Sequence, residues 1–195
     1  MAGQARLIAS RHPGPPEALA ARLGARVRAG TPSAAARFGD VVLVSVPCGA
    51  LPQLGKDLAP LLAGKGVLET GNPFPGRDGA MAAPARALGT GMASAQFLPG
   101  VRRLRVFSSI PHHALQSEAH RPEPRVGVPL GGDDPDGLAP TRRWWWRPVS
   151  SRWWWWRAGS GPRIRCGVAS IHPRPGLAPL GRASQDRISA RSITV

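Results

Sequence analysis

Residues 142–156, RRWWWRPVSSRWWWW, hold all seven tryptophans of the 195-residue chain, interleaved with arginine. Aromatic rings among guanidinium groups suit sequence-tolerant single-strand binding, where each stacked base contributes about 1–3 kcal/mol. They also suit an anchor at a membrane interface. The two runs have neither helical nor strand periodicity, so no one face of an element would gather the rings. His112, His113 and His120 offer imidazoles for a metal, but no carboxylate or cysteine at ligand spacing completes a set, and solvated or packed histidines are the simpler reading. Asp133, Asp134 and Asp136 in DDPDG read as a turn with a helix cap rather than a carboxylate site. Cys48 and Cys166 form no disulfide framework and no metal spacing; Cys48, after Val46-Pro47, is expected to be a small packed thiol.

These groups have to be positioned by something, and charge divides the chain. Residues 1–140 carry 15 basic and 10 acidic residues, a net of +5; residues 141–195 carry 11 and 1, a net of +10. The front is therefore ordinary for a globular domain, and the excess charge that would suggest a polyanionic partner belongs to the tail. Hydrophobic residues make up 42%, enough for a core, and Gly 24 and Pro 22 are not periodic, which excludes collagen. No apolar run reaches the roughly 18–20 residues of a membrane span. The N-terminus has no long apolar core of a signal peptide. With two cysteines, a reduced cytoplasmic setting is expected.

Strand and helix signals alternate along the front. Leu7–Ser10 is a short apolar strand. Pro15 and Pro16 near a helix start, Leu19 and Leu23 four apart and Gly24 as a stop outline the first helix. Thr31 caps a second helix, opened by Pro32 and closed by Gly39. Val41–Pro47 (VVLVSVP) lacks polar alternation, as a strand buried on both faces does. Leu51, Leu54, Leu58, Leu61 and Leu62 have helical spacing, with Gly55 and Pro60 predicting a bend or break. GVLETGNP is a strand ending in a turn, and Ala80–Leu88 a helix. VRRLRVFSSIP and RVGVPLGG are the last strand candidates. This alternation predicts an α/β fold, a Rossmann-like doubly wound parallel sheet.

The landmarks IASRHPG, RFGDVVLVSVPCGAL, ETGNPFPGRDG, VFSSIPHHALQSEAHRP and VPLGGDD stand in one order. Over residues 6–138 they resemble the F-420:NADP oxidoreductases, the NADPH-dependent reductases of the deazaflavin coenzyme F-420. The resemblance implies NADP and coenzyme F-420 as co-substrates, and hydride transfer between two carbon centres. It also implies that the turn Ser10, Arg11, His12 grips the 2′-phosphate, where a guanidinium can fork onto phosphate oxygens beside hydroxyl and imidazole donors. Val46 and Pro47 would lie under the ribose and adenine. Asn72 and Pro73, with the Ser108–Pro111 turn, would sit near the nicotinamide and the deazaflavin. Stacking the rings with water excluded matters more here than a side-chain acid or base, so no catalytic residue and no metal are assigned. The implied partners are a dinucleotide and a small-molecule co-substrate, with no specific nucleic acid; a homodimer is admissible.

Against that family the chain departs at both ends. A doubly wound NADP domain opens with a central strand, a glycine-rich turn and a helix, roughly 30 residues in all, and the turn cradles the pyrophosphate on backbone N–H groups. The chain starts at what resembles the second strand. An absent central strand predicts two unpaired strand edges and a marginal fold. The resemblance also ends near Asp136–Leu138. Tryptophan has the single codon TGG, and TGG repeats read one nucleotide away give valine or glycine. RIRCGVAS is compatible with shifted codons for Ala-Phe-Asp-Val-Gly-Ser-Pro, so a frame change near residues 137–141 is expected. The sequence thus divides into 1–138, an NADP-binding Rossmann-like domain incomplete at its N-terminus, and 139–195, a basic tail expected to be disordered. The alternative function is a non-catalytic remnant of such an enzyme, or a basic aromatic binder of nucleic acid or membrane surface.

Overall fold

The computed structural model describes residues 5–118, 128, 130–132 and 155–157. His120, the Asp133–Asp136 cluster, Cys166 and every tryptophan but Trp155 and Trp156 lie outside the described residues. Strand β1 (Arg6–Ala9) leads into helix α1 (Gly14–Leu23), and β2 (Val27–Gly30) then pairs with β1 in parallel. Pro15 and Pro16 open α1, and Gly24, with φ 88°, ends it as only glycine does comfortably. Helix α2 (Pro32–Phe38) has the anticipated cap: Thr31 Oγ1 accepts from the Ala34 N–H at 3.1 Å.

A second sheet holds β3 (Val41–Val44), β4 (Gly66–Glu69) and β5 (Arg102–Arg105), all parallel and in that order. Between β3 and β4 runs α3 (Leu51–Leu62). Between β4 and β5 come α4 (Pro75–Asp78), α5 (Ala82–Leu88) and α6 (Thr90–Ala95). After β5, helix α7 (His112–Glu118) precedes β6 (Leu130–Gly132), which pairs with β5 antiparallel, and β7 (Trp155–Arg157) lies parallel to β6. Within the glycine-rich β6, a Cβ at position 132 would run into the Leu104 side chain, so the close approach of β6 to β5 requires glycine there.

Residues alternate across the second sheet and feed two cores. Val44 and Val67 pack with Ala36, Leu51, Leu58, Leu62 and Leu98. Leu68 and Leu104 pack with Val106, Ile110 and Val128 on the other face. Helices on both faces of a mostly parallel sheet are the doubly wound arrangement, as expected. The β1–β2 pair has a smaller core of Ile8, Ala20 and Val27.

Two expectations are revised, and some elements are new. β3 is not buried on both faces: Leu43 is 37% exposed and only Val44 is buried. The reason is that among the described residues β3 has a strand neighbour, β4, on one side only, and β1 likewise pairs only with β2. It is β4, flanked by β3 and β5, in which all four residues are buried. Helix α3 is continuous through both Gly55 and Pro60. Gly55 is a packing requirement rather than a break, because a Cβ there would collide with the Phe97 carbonyl oxygen. β2, α4, α6, α7 and β7 are not anticipated by the sequence pattern; they are short, and Arg28, Ala29 and Gly30 carry little strand propensity.

Lys65, just before β4, closes α2. Its Nζ donates to the carbonyls of Ala36 (2.7 Å), Arg37 (3.1 Å) and Gly39 (2.9 Å), three acceptors left open at the helix end. α2 packs against both β1 and α3, so this cation secures the helix that joins the two sheets.

Candidate active site

In parallel α/β sheets, ligands bind outside the carboxyl ends of the strands, where the turns expose backbone and side-chain donors. Each expected site residue follows such an end. Ser10, Arg11 and His12 form the bend after β1 and before α1. Ser10 Oγ accepts from the His12 N–H at 3.3 Å, which folds the bend back on itself. Arg11 and His12 are exposed, and Arg11 makes no hydrogen bond or ion pair with any described residue.

Val46 and Pro47 follow β3 and lead into a single 3-10 turn, Cys48–Ala50. Cys48 is buried at 2% exposure. Burial, then the nearby Asp78 and Glu69 charges, pushes its thiol up to about 11, so it is a protonated packing group rather than a nucleophile. Val46 is also drawn toward the next turn. A Cβ on Gly71 would come within 3.1 Å of the Val46 carbonyl oxygen and 3.3 Å of the Cys48 sulfur, so the turns after β3 and β4 touch through a glycine.

Asn72 and Pro73 follow β4. Asn72 Nδ2 donates to the Ser108 carbonyl at 2.6 Å, its Oδ1 accepts from Arg105 at 3.1 Å, and its own carbonyl accepts from Arg77 at 2.6 Å. Pro73 is fixed through its carbonyl, which accepts from Arg86 Nε at 2.9 Å. The structure thus brings together Val46, Pro47, Asn72 and Pro73 with Ser108, in the turns of three neighbouring strands. Ser10–His12 stand at the end of β1, in the other sheet. His112 and His113 lie exposed on α7, ring edge to ring face at 5.7 Å, outside this cluster.

Several residues that build the site went unforeseen. Asp78 is a staple between turns: its Oδ1 accepts from the Gly49 N–H at 2.9 Å and its Oδ2 from the Phe74 N–H at 2.8 Å. Arg77 adds two further hydrogen bonds to the same carboxylate, at 3.2 and 2.8 Å. Burial raises the Asp78 carboxyl. The Arg77 hydrogen bond, the Phe74 and Gly49 N–H groups and the Arg77 charge outweigh that and hold it below the ordinary 3.8. Glu69, at the end of β4, is 1% exposed and pairs with Arg105 at 2.9 Å. A carboxylate closing an apolar strand, opposite a strand reading RRLR, was the available signal for that pair.

The turn after β5 contains Phe107 at φ 58°, a left-handed conformation that a bulky residue adopts only where its surroundings impose it. By contrast the depression along α1 and β2, bordered by Glu17, Gly24, Arg28 and Ala29, is lined by none of the turns that carry the expected residues. It has no converging set of polar groups and is not the candidate site. Among the described residues no helix is long and apolar enough to cross a membrane.

Residues 2–73 match the family described as NADP oxidoreductase, coenzyme F-420-dependent, a span that contains Ser10–His12, Val46, Pro47, Asn72 and Pro73. The resemblance read from the sequence landmarks is thereby supported. Among solved structures, a hypothetical protein from Sinorhizobium meliloti aligns with a TM-score of 0.61 at 21% identity, over 90% of this chain and 82% of its own. A protein from Arthrobacter sp. FB24, provisionally described as an F-420-dependent NADP-reductase, aligns with a TM-score of 0.54 at 17% identity, over 71% of this chain and 67% of its own. At such identities these structures show a shared Rossmann-like fold. No curated protein sequence matches the chain.

Proposed function

We propose, from the premise that residues 2–73 match that family, that this chain is a cytoplasmic oxidoreductase exchanging hydride between NADP and a deazaflavin coenzyme. The observation that carries the reading is the exposed Arg11, without a hydrogen bond or ion pair to any described residue, in the bend that ends a parallel strand, next to a hydroxyl and an imidazole. This donor set fits a phosphate: guanidinium offers a bidentate fork, and Ser10 and His12 offer flanking donors. Val46 and Pro47 present an apolar ledge for a ribose and adenine. The Asn72 and Ser108 turns form the far wall, where a nicotinamide would lie. Bound NADP supplies the hydride acceptor; the chain's own part is to grip the phosphate, present a flat ledge and exclude water.

The test is a titration of the purified full-length chain with NADPH and with NADH, followed by nicotinamide fluorescence. NADPH is expected to bind saturably and more tightly than NADH. Arg11→Ala is expected to weaken NADPH by about 10- to 150-fold, the value of a charge-assisted phosphate contact, and to leave NADH unchanged. Equal affinity for the two nucleotides, or an Arg11→Ala variant that weakens both alike, would refute the assignment.

A further inference from the structure

Glu69 is a fully buried carboxylate at the end of β4, and it receives a cation that reaches well beyond it. Arg105 Nη1 donates to Glu69 Oε1 at 2.9 Å, while Nη2 donates to the Gly71 carbonyl at 2.5 Å and to Asn72 Oδ1 at 3.1 Å. One guanidinium therefore spans strand β5, the end of β4 and two successive residues of the turn after β4. Glu69 Oε2 accepts no hydrogen bond from any described residue and has only the longer ion pair to Arg103 Nε at 4.0 Å, so the hydrogen bond that holds this carboxylate is the one from Arg105 to Oε1. Because Arg105 occupies Asn72 Oδ1, the amide is turned with its NH2 toward the Ser108 carbonyl, at 2.6 Å. Ser108 immediately follows Phe107, whose positive φ has to be imposed from outside the residue. The chain of contacts is continuous: Glu69, Arg105, Asn72, Ser108.

We infer that Arg105, seated on Glu69, is a positioning residue that fixes the Asn72 amide and through it couples the turns after β4 and β5 into one rigid wall. A lysine at 105 could keep the charge opposite Glu69, but its single ammonium cannot serve Glu69, Gly71 and Asn72 in the planar fork that arginine presents. The inference rests on the NADP reading only for what the wall faces. The coupling itself is a property of the protein without ligand.

Hydrogen exchange read by mass spectrometry on the full chain tests it. Asn72→Ala leaves the Arg105–Glu69 pair in place and cuts the link to Ser108; it is expected to speed exchange across residues 106–111 by about 2- to 10-fold, as the loss of one net hydrogen bond gives, with β4 still protected. Arg105→Lys is expected to speed exchange in residues 70–73 and 106–111 together. Both variants are expected to weaken NADPH by a similar factor with the unfolding midpoint little changed. Unaltered exchange over 106–111 in Asn72→Ala overturns the proposal, whatever happens at position 105. So does a uniform rise across β3, β4 and β5 in Arg105→Lys, which is what a purely stabilising ion pair would give. If Arg105→Lys does not fold, Asn72→Ala alone decides. Failure of the NADP reading looks different: the unmodified chain binds no NADPH, while the exchange rates of the two variants, measured without nucleotide, are untouched by that result.

Discussion

Replacing Asp78 by asparagine isolates what the staple between the turns after β3 and β4 contributes. The carboxylate is fully buried and presents acceptors to both the Gly49 and Phe74 N–H groups. Asparagine keeps one acceptor and replaces the other with a donor, so one backbone N–H faces an NH2 group and loses its partner. An unsatisfied buried group costs about 1–3 kcal/mol. Losing the Arg77 ion pair adds little, since that guanidinium is one-third exposed and screened; about 0–1 kcal/mol is the usual range. The sum is about 1–4 kcal/mol. Urea unfolding followed by circular dichroism should show it as a lower midpoint with an unchanged slope. Acid titration supplies an independent check. The folded carboxyl lies below its ordinary 3.8, so its stabilisation is complete above that value and is lost as pH falls further towards the folded pKa. Below about pH 4 the gap between the two proteins should therefore narrow. A midpoint shift under about 0.5 kcal/mol, or a gap that stays constant down to pH 2, would show that Asp78 does not hold these turns.

Two further substitutions probe the scaffold that carries the site. Lys65→Met leaves the Ala36, Arg37 and Gly39 carbonyls without their shared cation and should cost about 1–3 kcal/mol in a thermal or urea midpoint, with Lys65→Arg recovering part of it; no change would mean that water replaces the ammonium fully. Gly55→Ala, ordinarily favourable inside a helix, should instead destabilise by about 1–3 kcal/mol or more because its Cβ meets the Phe97 carbonyl, and a stabilised variant would contradict the close packing of α3 on that loop.

Much of the fold was readable along the chain because its signals are local. Thr31, Pro32 and Gly39 bound α2 by capping chemistry that needs no distant partner, and Gly24 ends α1 through its own backbone freedom. The apolar runs at Leu7–Ala9, Val41–Val44 and Val67–Leu68 all became strands, since β-branched and aliphatic runs between turn signals have few alternatives. The order of those landmarks also sufficed to suggest the NADP oxidoreductase family, which the match over residues 2–73 supports.

What the sequence could not decide was set by neighbours far along the chain. Whether an apolar strand is buried on both faces depends on how many strands flank it: β4 has two and is buried throughout, whereas the equally apolar β3 has one among the described residues and leaves Leu43 exposed. Gly55 reads as a helix breaker until Phe97, 42 positions later, is seen to occupy the space a side chain would need. The candidate site shows the same division. Asn72, Pro73, Val46 and Pro47 could be named from motif order, but the groups that orient them could not. The Glu69–Arg105 pair spans 36 residues and the Asp78–Gly49 bond 29, and such pairings exist only once the sheet has brought the strand ends side by side. Local chemistry wrote the elements and the order of the turns; long-range burial and hydrogen bonding decided which charges meet and which way the amide of Asn72 points.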